Sequence, residues 1–112
     1  MEKYFFNTMQ SGTEDNWLAY GYTEDLSEDE VKNKKVVEGK DEYDVVFLSE
    51  VPKYLEEHPK CRLYKAMVEC LDEESKNFLL KNVKNFSYFD DLIIDWDKLM
   101  TYNLIWGKRN VV

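Results

Sequence analysis

The sequence predicts an α+β fold in a single domain spanning residues 1–112: a small antiparallel sheet, made of an N-terminal hairpin plus one further strand, packed against three to five helices. Three observations carry this expectation. Two aromatic-rich runs near the N-terminus have the period-two look of paired strands, Leu26 to Gly39 carries a full set of helix start and stop signals, and helical spacing prevails after Ser49. A chain of 112 residues with 44% apolar and 15% aromatic side chains can build a core, and it has too much burial potential for a disordered segment.

Tyr4 to Met9 and Trp17 to Tyr22 flank a polar stretch around Gly12, the pattern of a hairpin with a loop of several residues. Tyr4, Phe6 and Thr8 would share one face and Phe5, Asn7 and Met9 the other. Neither face is purely polar, so at least one of the two strands should lie inside the sheet.

Ser27 followed three residues later by Glu30 is a capping box, with Leu26 and Val31 at the spacing of a hydrophobic staple. Glu28, Asp29 and Glu30 crowd the positive end of the helix dipole, Lys32, Lys34 and Lys35 lie toward its negative end, and Gly39 offers a left-handed stop. The spacing predicts a helix over 28–37. Its apolar residues are few, so it displays charge rather than fills a core.

A charged turn over residues 40–44 then leads into Val45 to Leu48, a short buried strand. Ser49 can cap a helix closed by Pro59, with Val51, Tyr54, Leu55 and His58 on one face. Leu63, Ala66, Met67, Cys70 and Leu71 follow helical spacing, with a strand as the alternative. Asp72 caps a further helix bearing Leu79, Val83 and Phe86, and Asp90 or Asp91 a last one with Trp96 and Leu104, a region that also passes as strands.

The net charge of −8 is segregated. Residues 1–59 hold fifteen carboxylates against six lysines, whereas residues 60–112 are close to neutral. Such a distribution repels nucleic acid and membrane surfaces and steers basic partners, although charge of this size also serves solubility alone. No apolar run is long enough to span a bilayer, and the first residues lack a basic start and cleavage site, so a cytoplasmic protein is expected. Cys61 and Cys70 are spaced for neither a disulfide nor a metal clip and read as two buried free thiols.

Groups for chemistry are sparse. His58 lies beside Glu57, but adjacent helix residues point about 100° apart, so a helix-terminal role outweighs a catalytic one. Asp90, Asp91, Asp95 and Asp97 lack the turn residues of a calcium loop, and the glycines form no phosphate cradle. Asp91 and Asp95 would share one helix face, which leaves a small carboxylate-dependent enzyme as the least favoured alternative; otherwise no enzyme activity, metal site or cofactor is expected.

One constellation is left. Glu14, Asp15, Glu24, Asp25, Glu28, Asp29, Glu30, Asp41, Glu42 and Asp44 would form a stripe if the hairpin loop and both helix ends lie along one edge. Carboxylates three or four apart on a helix stand about 5–6 Å from each other, a density that imitates a run of phosphates. Trp17, Tyr20, Tyr22 and Tyr43 are candidate anchors at its border, set against the ordinary role of such residues in a core or sheet. The expected partner is a protein with a basic surface, which this chain would block in the manner of immunity proteins, antitoxins or phage anti-defence inhibitors. The alternative is an adaptor subunit docking through Leu104, Ile105 and Trp106.

Overall fold

The computed structural model describes residues 2–10 and 16–88. Strands β1 (Tyr4–Gln10) and β2 (Asn16–Tyr22) form the expected hairpin, paired from Tyr4↔Tyr22 to Gln10↔Asn16. Strand β4 (Asp41–Phe47) lies antiparallel on the other side of β1, and β3 (Lys35–Glu38) lies antiparallel on β4. The two-residue strand β5 (Cys61–Arg62) runs parallel to β2. The order β3-β4-β1-β2-β5 makes a five-stranded mixed sheet, larger than a hairpin plus one strand, with β1 and β2 both interior.

The extra strand comes out of the segment expected to continue as helix. Helix α1 (Glu28–Asn33) begins at its capping box as predicted, but it stops early because Lys34 turns left-handed at φ 53°. Val36 and Val37 then become β3, where β-branched side chains fit better than in a short helix end. Gly39 stops no helix. With φ 63° it takes the first central position of the two-residue turn joining Glu38 to its partner Asp41, the place a II′ hairpin turn gives to glycine. Residues 41–44, expected as a charged turn, are therefore strand.

Both sheet faces are packed. One side buries Phe5, Trp17, Val36, Val45 and Tyr64. The other buries Tyr4, Phe6, Leu18 and Val46 against Val51 of α2 (Val51–Glu57), Val68 of α3 (Lys65–Glu69) and Leu79 of α4 (Glu73–Asn82). Gly21 keeps a side chain away from the Phe5 ring, since a Cβ there would stand 2.8 Å from Phe5 Cε1.

Helix α4 starts at Asp72 as expected, its carboxylate accepting the Ser75 N–H at 2.9 Å. Ser49 caps nothing: its hydroxyl and N–H both donate to Glu2, and Leu48–Glu50 form a 3-10 turn ahead of α2. In residues 63–71 the predicted stripe is displaced, because Ala66 and Cys70 are exposed while Tyr64 and Val68 are buried. Cys61 alone is a buried thiol, pushed up by burial to about 11. His58 ends α2, its Nδ1–H donating to Tyr54 O at 2.9 Å with its ring stacked on Tyr54 at 4.0 Å. The helix expected after Asp90 or Asp91 lies outside the described residues. Among the described residues, no helix is long and apolar enough to cross a membrane.

Candidate functional site

The acidic residues are placed by α1 and by the β3–β4 hairpin. At the start of α1, Ser27 Oγ accepts the Glu30 N–H at 3.2 Å while Glu30 Oε1 accepts the Ser27 N–H at 2.9 Å. Glu30 is thereby committed to the backbone. Glu28 and Asp29, not needed for the cap, project into solvent from a helix that buries none of its residues.

Glu24 and Asp25 lie in the 3-10 turn after β2, at the end of the sheet where the Thr23 N–H donates to Lys3 O at 2.9 Å. Glu24 is exposed and Asp25 half-buried. From there α1 carries the chain to Lys34, whose carbonyl accepts the Val45 N–H midway along β4. Strand β3 continues to the far end, where Asp41 and Glu42 are exposed. Six residue steps at about 3.3 Å put Asp41 roughly 20 Å from Phe47 along the strand. The acids thus form a trail from one end of the sheet to the other rather than a single cluster. The early stop at Lys34 is the cause, since it inserts a strand between residues expected at the two ends of one helix.

Not every predicted carboxylate is available. Asp44 is held by Lys35 Nζ at 2.8 Å and accepts the Tyr54 hydroxyl at 3.4 Å. The hydrogen bond that Lys35 Nζ donates to Asp44 is the main cause raising the Lys35 amine above its ordinary value. By contrast, Glu24, Glu28, Asp29, Asp41 and Glu42 make no ion pair among the described residues. Glu14 and Asp15 lie outside the described residues, as do Leu104, Ile105 and Trp106.

The four aromatics separate in the same way. Trp17 is 5% exposed and stacks edge-on against Tyr64 at 6.0 Å, so it serves the core. Tyr20 and Tyr43 are half-buried, and burial raises both hydroxyls above their ordinary value; the nearby Asp41 and Glu38 carboxylates add to the effect on Tyr43. Tyr22, 39% exposed, rests beside Tyr4 with the Lys3 amine 6.0 Å from its ring.

Among the described residues, grooves flank the sheet. One, of about 480 Å³, runs between α2 and β4, where Lys34 pairs with Glu50 at 2.5 Å and Lys35 with Asp44. Its charge is balanced internally, and the carboxylate of Glu50 is held below its ordinary range mainly by Lys34. Another, of about 490 Å³, lies over Leu48 and Phe78 with Lys3 and Asp72 paired at its rim. Among the described residues, no group of three or more His, Cys, Asp or Glu side chains could hold a metal ion. The feature that sequence reasoning missed is Val37, an apolar residue expected within a helix and found 57% exposed on an outer strand. The adjacent β-branched pair of Val36 and Val37, followed by Gly39, was the available signal for it. No protein-family model, curated protein or solved structure matches the chain.

Proposed function

We propose that this protein is a stoichiometric binder that presents its exposed carboxylates to a basic, nucleic-acid-handling surface of another protein and blocks it. The observation that carries the reading is that, among the described residues, Glu24, Glu28, Asp29, Asp41 and Glu42 make no ion pair, with α1 contributing no buried residue to the core. Helix α1 adds little packing, and its capping box holds the first turn that carries Glu28 and Asp29. A trail of about 20 Å corresponds to about six base steps of a duplex strand, a length over which spaced carboxylates can stand in for phosphates.

Long-range attraction between such surfaces accelerates encounter and is screened by salt. The test is the association rate with a partner captured from host lysate at low salt, measured across a salt series for the native chain and for a Glu28→Lys/Asp29→Lys variant. Steep slowing with salt, and slower association of the variant, are expected. A complex indifferent to both salt and charge reversal defeats the reading. Glu30 is left unchanged in that variant because its loss would also remove the cap.

A further inference from the structure

We propose that the open edge of β3 takes up an extended basic segment of the partner as an added strand, with Val37 as the apolar contact; this rests on the blocking function above. The Val45 N–H donates to Lys34 O at 2.9 Å, and Lys35 pairs with Asp44 in antiparallel register. Exchanging pairs alternate along such a ladder, so Val36 and Glu38 turn their backbone groups to β4. The N–H and C=O of Lys35 and Val37 therefore point away from the sheet. Strand β3 is outermost, and among the described residues it pairs with β4 alone.

Edge strands are usually blunted by proline, bulges or projecting lysine. Here the register is continuous, no proline is present, and Lys35 is drawn back along β4 by Asp44. What remains at the edge is Val37, more exposed than any other large apolar residue described. The surrounding charge selects the occupant. Glu42 stands directly across from Val37, and Asp41 lies opposite Glu38 at the hairpin tip. In a strand added about 4.8 Å outside β3, the residues that cover Val37 share its face, and the alternate Lys or Arg side chains lie on the other face, that of Glu38 and Asp41 at the hairpin tip.

The probe is a fluorescein-labelled alternating Lys–Val hexapeptide, followed by anisotropy, with an alternating Glu–Val hexapeptide and a backbone N-methylated Lys–Val hexapeptide as controls. The native chain should bind the first and neither control. Val37→Pro should weaken binding at least ~tenfold with the circular-dichroism spectrum retained, because the N–H it removes points outward and belongs to no ladder bond. Val37→Lys, which keeps every backbone group, serves should the proline variant unfold, and it should weaken binding similarly.

Unchanged affinity in a folded Val37 variant overturns the proposal. If binding survives there but is lost in Glu28→Lys/Asp29→Lys, the edge fails while the blocking function stands. Edge-dependent binding that ignores salt overturns the basic occupant and counts against electrostatic blocking as well. A native dimer in light scattering that Val37→Pro dissolves makes a second copy the occupant and also overturns the proposal.

Discussion

Helices α1 and α4 begin alike and end up doing different work. Each starts at a side-chain cap, Ser27 or Asp72, and each places acidic residues in its first turn. Yet α4 runs ten residues and buries Ser75 and Leu79, whereas α1 runs six and buries nothing. Cap and dipole signals therefore say where a helix begins, but not whether it belongs to the core. That is decided by the residues a turn or two later, and by whether a partner surface stands over them.

The largest effect that can break this comparison is in α4. Leu79 is fully buried among the residues joining α2 and α4 to the sheet, so Leu79→Ala should cost about 2–5 kcal/mol in chemical denaturation. Val31→Ala in α1 should cost under ~1 kcal/mol, and a comparable loss at both sites would show that α1 shares the core after all.

Next in size is the cap. Ser27→Ala should remove about 1 kcal/mol, read as a lowered denaturation midpoint with unchanged slope, because Ser27 Oγ satisfies the Glu30 N–H. No change would mean that α1 is not coupled to global unfolding. Reversing charge with Glu28→Lys/Asp29→Lys should be smaller per residue, ~0.3–1 kcal/mol from the dipole alone, with the helix retained in amide exchange.

The smallest effect is in pH. Hydrogen bonds from Ser75, aided by Lys3, hold the Asp72 carboxyl below its ordinary value. A carboxyl depressed in the folded state adds stability above its unfolded pKa, near ~4, and that stability is lost as pH falls through the folded value. The melting-temperature gap between the native chain and Asp72→Asn should therefore be constant near neutrality and close in acid. A gap that persists in strong acid would assign the cap's effect to geometry rather than charge.

Much of the local architecture was legible because the signals are short-range. Ser27 with Glu30, Asp72 with the Ser75 N–H, and the aromatic alternation of Tyr4 to Met9 each act within a few residues. The misplacements share a cause in competition between neighbouring signals. Lys34 took the left-handed position that Gly39 advertised, Gly39 went to a hairpin turn, and the Ser49 side chain found Glu2 across the fold instead of a helix start. The candidate site inherits this: ten carboxylates could be named from the sequence, but their pairing could not.

The sequence by itself determined the α+β class, the hairpin, the starts of α1 and α4 and the acidity of the first half, since each depends on propensity, capping or summed charge. Only the tertiary structure decided that Val36 and Val37 become an outer strand, that Asp44 is neutralised by Lys35, and that Trp17 is spent on the core. Those outcomes depend on which backbone edge and which counter-charge arrive from distant parts of the chain, and a strand exists only when another strand completes its hydrogen bonds.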